Sequence, residues 1–178
     1  MRAALGALLV SFAATGVYAA GSVSSTPPKP TKTTTECAEG LVWDEDTATC
    51  LKPQDSSFTD DERYSAVREL AYADRYVEAS AVLDTMTDQR DDRVLTYRGF
   101  LARMDGNLVE ADRQYLAAID KNPDNILARS YYGQGLVERG LRGSAIGQLY
   151  EIRARGGRGT WAEEALQHTL DGGYAYGY

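Results

Sequence analysis

Residues 95–125 read LTYRGFLARMDGNLVEADRQYLAAIDKNPDN, and their apolar residues recur with helical spacing on both sides of Gly106. Asn107 and Glu110 form a capping pattern, in which two side chains satisfy the first backbone N–H groups of a helix. Pro123 is disfavoured inside a continuing helix and therefore marks the end of the stretch. These signals predict two short helices that are joined by a tight turn.

The pattern of this stretch recurs along the chain. A turn residue followed five positions later by alanine repeats at intervals of 32 and 34 residues, in the pairs Asp74 and Ala79, Gly106 and Ala111, and Gly140 and Ala145. A pair of short helices cannot bury its apolar face alone, so three copies are expected to stack on a common core. The chain is predicted to form seven helices, at about 59–73, 76–86, 92–104, 107–121, 124–139, 142–155 and 160–171.

The middle copy resembles the tetratricopeptide repeat family. Its small, turn, aromatic and proline positions are occupied by Gly99, Gly106, Ala111, Tyr115, Ala118 and Pro123. The tryptophan that the family carries near the start of each repeat is replaced by Leu95 here and by Arg129 in the next copy. Over residues 59–171, the resemblance implies an all-α, right-handed solenoid of three helical hairpins and a C-terminal capping helix. On that last helix, Trp161 is expected to pack inward.

In this family, the first helix of each hairpin lines a concave groove that holds an extended peptide or a partner helix. Carried onto this chain, the groove contains Tyr64, Arg68, Tyr72, Arg93, Thr96, Phe100, Arg103, Met104 and Gln134. Arginines among apolar side chains suit an acidic or carboxylate-bearing peptide with apolar anchors. The resemblance thus implies a non-enzymatic scaffold that binds protein or peptide partners.

The first 36 residues are predicted to serve export and tethering. Residues 1–19 combine Arg2, an uncharged Ala/Leu/Gly-rich run and small residues around Ala19, as is typical of a cleaved secretory signal. An uncleaved membrane anchor is the alternative; after cleavage no stable membrane insertion is expected. The Ser/Thr/Pro-rich residues 20–36 carry too few apolar side chains to fold and are predicted to form a disordered linker. The expected location is the bacterial periplasm or the extracellular medium.

Both cysteines lie in CAEGLVWDEDTATC, residues 37–50. In an exported protein two cysteines are normally oxidised, so Cys37 and Cys50 are predicted to close a small β-hairpin over residues 37–53. The segment also resembles a fragment of the chitin-binding peritrophin motif. That resemblance implies an alternative function, in which Trp43 contacts peptidoglycan or a chitin-like carbohydrate and the helical domain self-associates into a homo-oligomer.

The composition argues against several other functions. A formal net charge of −7, without a Lys/Arg cluster, disfavours nucleic-acid binding. A calcium loop at residues 120–125 is disfavoured, because Asn125 and Tyr131 stand where an EF-hand needs glycine and glutamate. His168 is the only histidine, and no catalytic residues, metal ligands or cofactor are predicted. The Gly/Tyr tail, residues 172–178, is expected to fray.

Overall fold

The computed structural model describes residues 27–174, so the predicted signal peptide, the start of the predicted linker and the last four residues of the tail lie outside the described residues. Within this range, the chain forms eight helices and one two-stranded sheet. The elements are α1 (Lys32–Thr35), β1 (Val42–Asp44), β2 (Thr49–Leu51), α2 (Asp60–Tyr72), α3 (Tyr76–Leu83), α4 (Asp92–Met104), α5 (Leu108–Lys121), α6 (Ile126–Glu138), α7 (Arg142–Ala154) and α8 (Trp161–Leu170). The prediction of a mostly helical chain with a small hairpin is confirmed.

The longer helices pack in successive pairs. Helix α2 packs with α3, α4 with α5, and α6 with α7, while α8 packs against both α6 and α7. The side chains of Thr59, Asn107 and Thr160 each accept a hydrogen bond from the backbone N–H three residues later, so the predicted helix starts are present. The first helix of each pair also contacts the first helix of the next pair. We call α2, α4, α6 and α8 the first-row helices.

The same backbone turn ends the first helix of each pair. Its central residue has left-handed dihedral angles, with φ values of 58°, 77° and 77° at Asp74, Gly106 and Gly140. The following N–H donates to a carbonyl oxygen five residues earlier, at 2.9, 2.8 and 2.8 Å, in the pairs Arg75–Leu70, Asn107–Ala102 and Leu141–Leu136. This hydrogen bond satisfies a carbonyl that the helix end would otherwise leave unpaired. The sequence period therefore corresponds to a repeated turn, including the copy that lacks glycine.

Each first-row helix contributes one aromatic side chain to a continuous row through the structure. Tyr64, Tyr97, Tyr131 and Trp161 contact one another in that order, with ring centroids 5.6, 6.1 and 6.1 Å apart. All three contacts are edge-to-face, the geometry that the ring quadrupoles favour. We call these four residues the aromatic row. It joins the first-row helices side by side, and the inward packing predicted for Trp161 is confirmed.

Gly99 allows α4 and α5 to approach closely. A Cβ atom at this position would lie 2.7 Å from ring atoms of the buried Tyr115, so no larger residue fits without movement. At the equivalent place in α6, a Cβ atom on Gly133 would lie 2.7 Å from Leu166 of α8 rather than against its own partner helix α7.

The hairpin belongs to the helical core. The predicted disulfide between Cys37 and Cys50 is present, and Trp43 lies opposite Cys50 in the strand register. Val42 is buried in the same apolar cluster as Leu70 and Ala71 of α2. The hairpin therefore covers part of the α2–α3 pair, which no earlier helix pair covers within residues 27–174.

The C-terminal end of the predicted linker differs from the disordered spacer expected over residues 20–36. Residues 32–35 form helix α1, and Thr31 caps it. The buried carboxylate of Glu69 accepts hydrogen bonds from the backbone N–H and hydroxyl groups of Thr31 and Thr34, at 2.6 to 3.1 Å. These bonds satisfy the polar groups of a segment that has few apolar side chains of its own.

Candidate functional site

The structure buries most of the predicted groove. Five of its nine residues are at most 5% exposed: Tyr64, Thr96, Phe100, Arg103 and Gln134. Arg68, Arg93 and Met104 are partly buried, and Tyr72 is 37% exposed. The prediction that all nine line an open groove is therefore wrong for the five buried side chains, which do not offer their surface to solvent.

Three of the buried groove residues connect neighbouring elements. Tyr64 belongs to the aromatic row, and the ring of Phe100 lies 5.2 Å from that of Tyr131, measured between centroids. The hydroxyl of Thr96 donates to the carbonyl oxygen of Asp92 at 2.6 Å and accepts from Nδ2 of Asn125 at 3.0 Å. These contacts hold α4 to α2 and to the start of α6.

Arg103 is a buried charge between first-row helices. Its side chain is 1% exposed, and Nη1 donates to Oε1 of Glu138 at 3.0 Å. The guanidinium carbon lies 5.8 Å from the ring centroid of Phe100. Burial raises the pKa of the nearby Tyr115 hydroxyl, so this phenol stays neutral beside the arginine. Arg103 thus joins α4 to α6.

Arg93 is neutralised by two carboxylates. It forms ion pairs with Asp91 at 3.0 Å and with Asp61 of α2 at 2.6 Å, and it lies 5.1 Å from the ring centroid of Tyr64. The hydrogen bonds that Arg93 donates to Asp91, followed by the one it donates to Asp61, raise the pKa of Arg93 despite its burial. Of the predicted groove residues, Arg68 and Met104 are partly accessible and Tyr72 is the most exposed.

Gln134 has an unsatisfied acceptor inside the protein. The side chain is fully buried, and its Nε2 donates to Oγ of Ser130 at 3.2 Å. Its Oε1 has no hydrogen-bond partner within residues 27–174. A buried acceptor without a donor costs about 1–3 kcal/mol.

Gln134 is one member of an equivalent set on the first-row helices. The residues that follow the repeat spacing are Arg68, Phe100, Gln134 and His168, which are separated by 32, 34 and 34 residues. Because α2, α4, α6 and α8 contact one another in sequence, these four positions lie along one side of the helix row. Phe100 and Gln134 are fully buried, so these four positions do not form an open surface.

A cleft of about 270 Å³ lies between the hairpin and α2. Its polar and aromatic lining includes Trp43, Glu45, Asp61, Glu62 and Ser65. Nζ of Lys32 lies 4.1 Å from the Trp43 ring centroid, so one part of the indole is already covered by a cation. The sequence indicated Trp43 but not the acidic residues opposite it, because these come from a separate helix.

The carboxylate of Glu78 fixes the hairpin to α3. The N–H of Gly40 donates to Glu78 at 2.8 Å, and Arg75 donates to the same carboxylate through Nε at 2.6 Å and to the carbonyl oxygen of Thr33 at 3.3 Å. The hydrogen bond from Arg75, and to a lesser extent that from Gly40, lowers the pKa of Glu78 below its ordinary value of 4.5, although burial opposes the shift.

Acidification is expected to loosen this contact. Because the pKa of Glu78 is lower in the folded chain, its stabilising effect is complete above the ordinary value of 4.5 and is lost as the pH falls through the folded value. Urea unfolding between pH 7 and pH 3 should show a flatter pH dependence for Glu78→Gln than for the parent chain. Glu164→Gln, at an exposed site on α8, serves as the control and should keep the parent slope. An unchanged slope in Glu78→Gln would contradict the assignment.

Within residues 27–174, no group of three or more His, Cys, Asp or Glu side chains is arranged to hold a metal ion. In the same range, every helix is too short or too polar to cross a membrane. Comparison of the chain with protein-family models, with curated proteins and with solved structures finds no match.

Proposed function

We propose that this protein is a non-enzymatic scaffold of the tetratricopeptide type, a right-handed solenoid that binds protein or peptide partners. The observation that carries the proposal is the recurrence of one left-handed turn at Asp74, Gly106 and Gly140, each time between two packed helices. Stacked helix pairs of this kind present an extended surface for recognition. The fold supports this architecture without a match to a known family.

The partner-binding surface is narrower than the sequence predicted. Its accessible residues are Arg68 and Tyr72 at the C-terminal half of α2, together with Met104 at the end of α4. An arginine beside an aromatic and a thioether side chain suits an acidic peptide that also carries apolar anchors. Tyrosine and arginine are the residues that most often carry binding energy in such contacts.

We further propose that the protein is exported and works in the periplasm or outside the cell. The disulfide between Cys37 and Cys50 supports this location, because such bonds persist in oxidising compartments and are rare in the cytosol. The signal predicted for residues 1–19 is consistent with the same route.

Crosslinking in the native envelope, followed by mass spectrometry, tests the scaffold function. The double variant Arg68→Ala/Tyr72→Ala is expected to capture its partners at least about 10-fold less well, because it removes both anchors from one side of α2. The control Leu116→Ala/Tyr150→Ala removes exposed apolar surface from α5 and α7 and should leave capture unchanged. Equal capture by all three chains, or equal loss in both variants, would refute the proposed surface.

Carbohydrate binding is a second candidate function, and the cleft beside Trp43 favours it. A sugar ring has apolar faces that can stack on an aromatic side chain and hydroxyl groups that can donate to carboxylates. The aromatic, carboxylate and hydroxyl groups that line this cleft therefore suit a carbohydrate. Pull-down on peptidoglycan and on chitin should retain the parent chain and lose Trp43→Ala. The exposed variant Tyr150→Ala is the matched control. Equal retention of Trp43→Ala and the parent would exclude this function.

A further inference from the structure

We propose that the cleft between the hairpin and α2 binds a lysine side chain of a partner protein, with the ammonium group among the carboxylates and the methylene groups against Trp43. The inference deepens the proposed scaffold function and rests on it, because it names a second feature that the partner carries. A neutral carbohydrate is the competing occupant of the same cleft, and the experiment distinguishes the two.

The lining of the cleft is negatively charged. Four carboxylates belong to it, those of Glu45, Asp61, Glu62 and Glu69, and no lysine or arginine is among the described residues that line it. A concave surface that carries charge of one sign concentrates ligands of the opposite sign. The ligand that the electrostatics of this cleft favour is therefore a cation.

The contacts that hold these carboxylates leave most of their charge in place. Glu62 accepts hydrogen bonds from the backbone N–H and the hydroxyl of Thr59, both at 2.7 Å, and Glu69 likewise accepts from neutral threonine groups. The bonds from Thr59 lower the pKa of Glu62, so this group stays ionised at neutral pH. Asp61 is paired with Arg93 at 2.6 Å, but its side chain is 85% exposed and can accept a further donor.

A lysine of the chain itself already contacts the aromatic wall of the cleft. Nζ of Lys32 lies 4.1 Å from the ring centroid of Trp43, which is a cation–π contact. The ion pair of Lys32 with Glu36, at 3.9 Å, joins two half-exposed side chains and is therefore weak. Lys32 does not belong to the lining, so the part of the indole that borders the cleft is open to another group. The contact indicates that this indole suits a lysine side chain.

The cleft continues into the partner surface proposed on α2. Four residues of this helix recur at intervals of four, three and four positions: Asp61, Ser65, Arg68 and Tyr72. Such spacing places them along one stripe of the helix, with the cleft at one end and the proposed surface at the other. Asp61 and Arg68 are separated by about 10 Å along the helix axis. An extended peptide spans this distance in about three residues, so the expected partner motif is a lysine three positions from an acidic residue.

NMR titration of the intact chain with short peptides tests the inference. The probe is acetyl-Lys-Gly-Gly-Glu-amide, and its matched control carries Nε-acetyllysine, which keeps the length and removes the positive charge. The lysine peptide should shift the indole N–H signal of Trp43 and the backbone signals of Asp61 and Ser65. The acetylated peptide should bind at least about 10-fold more weakly, because it cannot make the charge-assisted hydrogen bonds. Equal affinity for the two peptides would overturn the inference.

The second tryptophan is an internal control for the site of binding. Trp161 belongs to the aromatic row, away from the hairpin, and its indole signal should not move. Shifts of Trp161 without shifts of Trp43 would overturn the inference.

Variants of single charges test whether the cleft, rather than the net charge of the protein, attracts the lysine. Glu45→Gln should weaken binding of the lysine peptide at least about 3-fold, and Lys32→Met should strengthen it by a similar factor, because it removes a neighbouring positive charge. Glu164→Gln removes the same charge as Glu45→Gln from an exposed site on α8 and should leave the affinity unchanged. Equal effects of the two glutamate variants, or no gain in Lys32→Met, would overturn the inference.

Two comparisons separate this inference from the other proposals. If a tetramer of N-acetylglucosamine shifted the Trp43 indole signal and the lysine peptide did not, the cleft would be a carbohydrate site and the inference would be overturned. Lysine-dependent peptide binding without any partner captured in the envelope would support the cleft site and refute the scaffold function. Partner capture that depends on Arg68 and Tyr72 but is unchanged in Glu45→Gln would support the scaffold and refute the lysine site.

Discussion

Replacing Tyr131 with alanine is expected to lower the free energy of unfolding by about 3–5 kcal/mol, the range for removal of a large buried aromatic ring. Tyr131 is fully buried, and its ring lies within 5.2 to 6.5 Å of the rings of Tyr97, Phe100, Tyr115 and Trp161, measured between centroids. Its removal would open a cavity at the centre of the aromatic row and remove the ring contacts that α6 makes with α4 and with α8. Denaturant unfolding followed by circular dichroism measures the loss.

Two variants control this measurement. Tyr131→Phe keeps the ring and all its ring contacts, so it should cost much less than the alanine variant, within about 1.5 kcal/mol. Tyr150→Ala removes a tyrosine that is 66% exposed on α7 and should change stability by no more than about 0.5 kcal/mol. If Tyr131→Ala were as mild as Tyr150→Ala, the aromatic row would not be the connection between the first-row helices.

The helices were predictable because their signals are local. Thr59, Asn107 and Thr160 each act on a backbone N–H three residues away, so a capping pattern read in the sequence also forms in the structure. At Asp74 the local residue type alone does not indicate the turn. This residue has the same left-handed conformation as Gly106 and Gly140 although aspartate pays a steric cost there, and only the alignment of the period indicated the turn.

The organisation of the N-terminal region was not predictable in the same way. The linker composition predicted disorder, yet Thr31 and Thr34 are held by Glu69, a residue separated from them by more than 30 positions. A single buried carboxylate that accepts four hydrogen bonds leaves no pattern in the local sequence. The packing of the hairpin is also non-local, because Val42 lies in the same apolar cluster as Leu70 of α2.

The candidate site was predicted in position but not in accessibility. Arg68, Phe100 and Gln134 follow the repeat spacing, but spacing alone cannot show which of them are covered by neighbours. Burial depends on the distance between successive first-row helices, and that distance follows from the rings between them. The exposed Tyr72 and the partly buried Arg68 could be separated from the buried residues only once the packing was known.

Arg103→Glu is expected to lower the free energy of unfolding by about 3–5 kcal/mol, which makes it unsuitable as a test of partner binding. The sequence predicted this arginine to be a groove residue. In the structure its side chain is 1% exposed and pairs with Glu138. The variant would place a buried carboxylate beside another carboxylate, without the hydrogen bond at 3.0 Å.

The matched variant Arg103→Met separates charge from packing. Methionine fills much of the same apolar space, and Glu138, which is 37% exposed, can be hydrated when its partner is lost. Arg103→Met should therefore be clearly more stable than Arg103→Glu, and a double-mutant cycle with Glu138→Gln isolates the coupling between the two side chains.

Combining Arg103→Glu with Glu138→Gln should restore part of the loss, because it removes the second negative charge. If Arg103→Glu alone stayed within about 0.5 kcal/mol of the parent, the arginine would be a surface residue and the buried ion pair between α4 and α6 would be refuted.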